Sequence, residues 1–265
     1  VWAVPELPEV ESYRRLAERL ALGRTIEGVD APDAWYLKGG VTAPGVEAAL
    51  VGRRFIQANR RGKLLLLATD GAGPVVGLRF GMTGRLIVDG VAGVEDLWYA
   101  PKREEVRWSR FGVHFKDGGL LAMQDPRRLG GVTLDPPEDR LGPDALTVTK
   151  AQLRRGLATS RAPLKAWLLN QAHLAGVGNL IADEALWRAG LSPIREARTL
   201  TDADVGRLHR HLRATITEFV SGGGSHLGKL MEERRPGGVC PKDGTPLVRA
   251  TVGGRTTWYC PAHQR

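Results

Sequence analysis

The stretch Asp135-Pro136-Pro137-Glu138-Asp139-Arg140 divides this 265-residue chain into two parts with different periodicity. Two adjacent prolines flanked by acids oppose both a helix and a central strand, so the stretch reads as a linker. On its N-terminal side short apolar runs alternate with Gly, Asp and Pro. They are Phe55–Asn59, Leu64–Thr69, Val75–Phe80, Arg85–Val88, Val106–Trp108, Val113–Phe115 and Leu120–Met123. These runs predict strands, with Lys116-Asp117-Gly118-Gly119 as a hairpin turn. Ahead of them Val10, Tyr13, Leu16 and Leu20 recur at helical spacing over Glu9–Leu22. Pro8 suits the first turn of that helix and Gly23 the position past its end. One helix followed by many short strands predicts a β-sandwich or barrel.

On the C-terminal side the pattern is helical. Pro163–Gln171 carries Leu164, Trp167 and Leu168 on one side, and Asn179 is the predicted N-cap of a helix through Leu186 and Trp187. Thr201 and Asp204 form a capping box for a longer helix through Val205, Leu208, Leu212, Ile216 and Phe219. Gly222-Gly223-Gly224 ends it, and from Cys240 onward the chain reads as a small β-hairpin. The predicted class is multidomain α+β, with domains over residues 5–135, 143–225 and 236–265.

Charge is distributed unevenly across the linker. Residues 1–140 hold 20 Lys+Arg against 19 Asp+Glu, whereas residues 141–265 hold 18 against 10. Basic charge concentrated in one half favours nucleic acid as partner, because neutralising phosphates releases counterions; a solvated basic surface is the alternative. Without a run of about 18 apolar residues no membrane span is expected. Two cysteines and no basic-then-apolar leader point to a cytoplasmic, reducing location.

Cys240-Pro-Lys-Asp243 and Cys260-Pro-Ala-His263 are two ligand pairs at knuckle spacing, and Gly253-Gly254-Arg255 between them suits a hairpin turn. Sulfur, imidazole and carboxylate all ligate zinc. A metal-free hairpin with two buried thiols is the other reading, and His226 is a reserve ligand. Ala175-Gly176-Val177-Gly178-Asn179 places glycines ahead of a helix, where free N–H groups could meet a phosphate or merely serve a turn. Asp125-Pro126-Arg127-Arg128 is a basic tip or a solvated turn, and Lys63 a charge stabiliser or a basic turn.

Pro5-Glu6-Leu7-Pro8-Glu9-Val10-Glu11 bears on chemistry. A proline at an amino terminus is a secondary amine able to attack an aldehyde carbon, whereas inside a chain its nitrogen lone pair is lost to amide resonance. Val1–Val4 precede Pro5 here. A valine codon read as an initiator at Val4, followed by its removal, would expose Pro5.

Six motifs in one order carry a resemblance: Pro5–Glu11, Arg60–Lys63, Phe80–Leu86, Asp125–Gly130, Pro163–Leu186 and Cys240–Pro261. The chain resembles the formamidopyrimidine-DNA glycosylase/endonuclease VIII family of base-excision repair enzymes. That resemblance implies a β-sandwich with a flanking helix, a helix–two-turn–helix domain and a zinc-finger β-hairpin. It implies Pro5 as the nucleophile forming a Schiff base at C1′, Glu6 as acid/base on the opening sugar, and Lys63 holding a phosphate. Lys165, Asn179 and Arg255 match positions that clamp the DNA backbone. Met82, Arg127 and Leu129 match residues that fill the gap left by an extruded base. The expected metal is zinc on Cys240, Asp243, Cys260 and His263. The expected partner is double-stranded DNA with a damaged base or abasic site, bound by a monomer.

Departures from the family pattern are Leu129 in place of an aromatic and a mixed rather than four-cysteine ligand set. Glu104-Glu105 stands where phosphate-contacting histidines are usual, and the Gly224–Cys240 interval is short for a lesion-sensing loop. The alternative to a glycosylase/lyase is a non-catalytic binder of damaged DNA, expected if Val1–Val4 stay attached to Pro5. An RNA-binding module is a third reading, opposed by the lack of clustered aromatics for stacking.

Overall fold

The computed structural model describes residues 5–94 and 105–265, so the expectations for Val1–Val4 and Glu104 lie outside the described residues. Helix α1 (Leu7–Leu20) forms because Val10, Tyr13, Leu16 and Ala17 fall on one face, and all four are buried. It begins two residues before the predicted start, and Leu7 packs into the helical core described below. A left-handed Gly23 (φ 78°) follows its last turn.

Chain order continues with β1 (Ile26–Asp30), α2 (Ala43–Leu50), β2 (Phe55–Arg61), β3 (Leu64–Thr69) and β4 (Val75–Arg79). It then runs through β5 (Arg85–Val88), β6 (Val91–Ala92), β7 (Ser109–Phe115), β8 (Leu120–Gln124) and β9 (Gly131–Leu134). Among the described residues these strands form two antiparallel sheets, ordered β1-β7-β8-β5-β6 and β2-β3-β4-β9. Leu65, Leu67, Val76 and Leu78 of one sheet share a core with Leu86, Val88, Phe111, Val113 and Leu121 of the other, and with α1. This is the predicted sandwich. One predicted strand is corrected: Val106–Trp108 is a single 3-10 turn, closed by the Trp108 N–H donating to the Glu105 carbonyl (2.9 Å). The strand starts only at Ser109, where the ladder with β8 begins.

The second compact unit comprises Glu6–Pro8 with Asp139–Arg265, the first Glu9–Glu138. In the second, α3 (Lys150–Leu157), α4 (Leu164–Leu169), α5 (Asn179–Ala189) and α6 (Asp202–Gly222) bury Leu153, Leu168, Ile181, Leu208, Ile216 and Phe219 together. The Thr201/Asp204 capping box opens α6, and Gly223 (φ 90°) closes it. Strands β10 (Val248–Val252) and β11 (Arg255–Tyr259) make the terminal hairpin around Gly253 and Gly254, both left-handed. Among the described residues no helix is long and apolar enough to cross a membrane.

Candidate active site, nucleic-acid interface and metal centre

Glu6 follows Pro5 directly and is fully buried. Its Oε2 accepts the N–H groups of Gly178 (3.0 Å) and Ile181 (3.0 Å), and its Oε1 that of Leu180 (2.8 Å). A helix begins with N–H groups that have no intrahelical acceptor, and its positive end favours an anion. Here the anion is the chain's own carboxylate. The glycine loop before α5 therefore serves Glu6 rather than a phosphate. A Cβ on Gly178 would lie 2.2 Å from the Glu6 carboxyl carbon, so only glycine admits this approach. The predicted N-cap is corrected as well: Gly178 occupies that position, and Asn179 is the first helical residue.

Freed from capping, Asn179 donates through Nδ2 to the Thr256 carbonyl (3.2 Å), while its buried Oδ1 has no hydrogen-bond partner. Lys165 does not reach the surface. It is fully buried, pairs with Asp183 (2.6 Å) and donates to Thr257 Oγ1 (2.7 Å) and the Thr256 carbonyl (3.3 Å). Burial lowers its pKa, against the pull of Asp183. Asp183 also receives Arg234 Nη2 (2.8 Å) and Nε (3.1 Å), completing a buried Lys–Asp–Arg cluster. The cluster fixes β11 just after Arg255, whose own side chain is exposed at the hairpin turn. Nothing in the spacing of Asp183 and Arg234 signalled this pairing, because 51 residues separate them.

In the sandwich unit Met82 lies half-buried in the loop between β4 and β5, whereas Arg127 and Leu129 are exposed in the loop between β8 and β9. Asp125 ties the two loops together. Its Oδ1 accepts Thr83 Oγ1 (2.6 Å) and the Arg127 N–H (3.2 Å), and its Oδ2 the Gly130 N–H (2.8 Å). A Cβ on Gly81 (φ 57°) would meet the Leu129 carbonyl carbon at 2.4 Å, so the backbones themselves touch. Between the two exposed residues Arg128 takes φ 57°, unusual for a non-glycine, and forks onto Asp33 with two 2.6 Å bonds. The Arg128 guanidinium holds the Asp33 carboxyl below its usual range. Asp33, also the cap of the short 3-10 turn Ala34–Tyr36, is a further residue that sequence reasoning missed.

Lys63 sits half-buried in the β2–β3 turn, where Gly62 is left-handed. Arg60 braces that turn by donating to the Gly62 carbonyl (2.9 Å) and to Glu11 of α1 (3.0 Å).

At the hairpin base the ligand atoms of Cys240, Asp243, Cys260 and His263 lie within 4.8 Å of one another. Cys240 Sγ to His263 Nδ1 is 3.5 Å, Cys260 Sγ to Asp243 Oδ2 is 3.5 Å, and His263 Nδ1 to Asp243 Oδ2 is 3.4 Å. Ligands 2.0–2.3 Å from one ion stand about 3.3–3.8 Å apart in a tetrahedron, so the spacing fits. His263 Nε2 faces the Trp187 carbonyl at 3.0 Å, which places the ring hydrogen there and leaves Nδ1 as a lone-pair donor to the cluster. The Thr245 N–H holds Asp243 well below the usual carboxylate range, and burial pushes the Cys260 thiol up. These four residues could hold a metal ion; His226, in the 3-10 turn Ser225–Leu227, is not among them.

Both units match known proteins. Residues 4–132 match the formamidopyrimidine-DNA glycosylase N-terminal domain, and residues 141–229 the formamidopyrimidine-DNA glycosylase H2TH domain. The chain is 37% identical to formamidopyrimidine-DNA glycosylase of Thermus thermophilus, over 98% of either protein. Lactococcus lactis Fpg in complex with an abasic-site DNA superposes with a TM-score of 0.83 at 26% identity, covering 98% of this chain and 99% of that one. The same protein with a FAPY-dG DNA gives 0.82 at 26%, covering 98% and 100%. An N-terminal sandwich, a helical H2TH unit and a hairpin carrying a Cys/His cluster define a DNA-repair glycosylase fold. The chain belongs to the formamidopyrimidine-DNA glycosylase family.

Proposed function

We propose that this protein is a base-excision-repair DNA glycosylase with AP lyase activity, acting on oxidised purines in double-stranded DNA. The observation that carries this reading is the buried Glu6 carboxylate, held by three N–H groups and adjacent in sequence to Pro5. The family relationship supports it, as do the damaged and abasic DNAs bound by the Lactococcus lactis relative.

In this mechanism the mature chain starts at Pro5, whose secondary amine attacks C1′ of the damaged nucleotide. The glycosidic bond breaks, and the base leaves with the electron pair and takes up a proton. The proline nitrogen then loses its proton, the C1′–O4′ bond opens as O4′ takes one up, and a cationic iminium remains. Loss of a C2′ proton lets the iminium accept electrons while the 3′ phosphate leaves; a second elimination expels the 5′ phosphate. Glu6 exchanges protons with the opening sugar, and its negative charge offsets that of the iminium. Lys63 holds a phosphate of the reacting nucleotide.

Met82, Arg127 and Leu129 occupy the space vacated by the extruded base, presented by the loops that Asp125 joins. Arg255 contacts the DNA backbone directly. Asn179 and Lys165 act on that contact through the Thr256 carbonyl that both engage. Residues 5–135 supply nucleophile and wedge, 143–225 the helical clamp, and 236–265 the hairpin. The hairpin cluster binds zinc as a structural ion, which orders a module too small to fold on apolar burial alone. A cytoplasmic, nucleoid-associated location belongs to the same reading.

Borohydride reduction on a duplex with an abasic site tests it. The expected result is a covalent protein–DNA adduct whose attachment maps to Pro5. Tight abasic-site binding without an adduct, by protein whose amino terminus is Pro5, would sink the lyase reading and leave a binder of damaged DNA.

A further inference from the structure

We propose that Trp187 is a positioning residue of the metal centre, acting through a hydrogen bond to the Cys240 sulfur. This rests on the reading that the cluster holds zinc. Trp187 is the ninth of the eleven residues of α5 and is 3% exposed. Its indole Nε1 donates to Cys240 Sγ at 3.3 Å, and its carbonyl faces His263 Nε2 at 3.0 Å. One residue outside the hairpin thus engages two of the four ligands. Its ring also packs with Leu230, Cys240 and Cys260 in a small apolar cluster apart from the two main cores.

The chemistry favours a role beyond packing. An indole N–H aimed at a ligand sulfur fixes where that sulfur sits, so the bond holds Cys240 Sγ facing the other three ligand atoms. The bond to His263 selects the tautomer whose Nδ1 faces the cluster. Both interactions hold ligand atoms of Cys240 and His263 facing the cluster. By linkage, whatever they add to metal affinity the metal returns to the attachment of the hairpin on α5. Lys242 provides a separate attachment, donating through Nζ to the carbonyls of Trp187 (3.0 Å) and Arg188 (3.2 Å) without touching sulfur in these contacts. Its Nζ also lies 4.7 Å from the centroid of the Trp187 ring, so a change at Lys242 alters the attachment of the hairpin to α5 while leaving the indole N–H···S bond in place.

The test compares zinc affinity of the whole protein with that of Trp187→Phe and Lys242→Met, by competition against a chromophoric chelator. Trp187→Phe is expected to weaken zinc binding about 10–100-fold, the usual effect of removing an outer partner of a ligand. Lys242→Met is expected to cost less than about threefold on the same grounds. The unaltered protein loaded with cadmium-113 supplies a second readout that needs no variant to fold. One indole proton should show scalar coupling to the metal through the N–H···S contact. Trp187→Phe binding zinc within twofold of the parent, equal losses in both variants, or no coupled indole proton would overturn the proposal while leaving the metal reading intact. Failure of the unaltered protein to bind zinc or cadmium would overturn both.

Discussion

The sandwich unit and the helical unit use one device for opposite ends. In each, a fully buried carboxylate collects backbone N–H groups from a loop that contains required glycines. Asp125 uses it to present, leaving Arg127 and Leu129 in solvent on a braced loop. Glu6 uses it to conceal, the start of α5 holding its carboxylate away from solvent. The helical unit extends the pattern with Lys165, Asp183 and Arg234, charged groups kept inside in ion pairs with one another. A group that must touch DNA is best placed on a stiff loop. A group that must hold charge near a reacting bond is best kept away from water.

Substitutions on each side can break this contrast. Glu6→Gln turns one acceptor oxygen into a donor that faces N–H groups. Single-turnover cleavage of an abasic duplex is expected to slow about 10²–10⁴-fold, the range for a lost acid/base group. A rate within threefold of the parent would make Glu6 a structural cap only. Asp183→Asn leaves Lys165 and Arg234 buried without their counter-charge and should cost about 3–5 kcal/mol in urea unfolding. A loss under about 1 kcal/mol would mean that the cluster rearranges around the change.

Effects in the sandwich unit should be smaller. Asp125→Asn keeps the shape but loses an acceptor for buried N–H groups, with an expected cost of about 1–3 kcal/mol by the same measurement. Leu129→Ala, at a residue 51% exposed, should change stability by less than about 0.5 kcal/mol. Base removal from a lesion-containing duplex should nonetheless fall about tenfold, because a wedge offsets unstacking. The smallest effect concerns Asp33. Its folded pKa is lowered, so its ion pair with Arg128 stabilises fully above about pH 4 and fades as pH falls through the folded value. Melting temperature followed from pH 7 to pH 2 should show this acid-side loss in the parent, and Asp33→Asn should lack that part of it.

Local elements were legible where their cause is local. The runs Leu64–Thr69 and Arg85–Val88 are strands with the predicted bounds, and the Thr201/Asp204 box opens its helix as predicted. Strand β1 carries no alternating pattern because, of its five residues, only Ile26 is buried; its pairing with β7 makes it a strand. Helices α2 and α3 span eight residues each, too short for periodicity to stand out. Val106–Trp108 is apolar enough for a strand, yet it must turn the chain into β7. At the Cys/Asp/Cys/His cluster, residue types and spacing foretold which four side chains come together, since both pairs lie on one hairpin. Trp187 was legible only as a helical position, because its partners lie 53 and 76 residues away.

By itself the sequence determined the class of fold, the terminal hairpin and the two Cys-containing pairs that it brings together. Each of these depends on periodicity, turn chemistry or motif spacing, all of which are local. Tertiary structure alone decided which charges would be inside. Lys165 matches a backbone-clamping position in sequence, and its complete burial is decided by Asp183 and the Thr256–Thr257 edge that surround it. Asn179 reads as a cap, but Glu6, 173 residues earlier in the chain, holds that helix end. Burial of a charge depends on partners brought from distant parts of the chain, which local spacing does not encode.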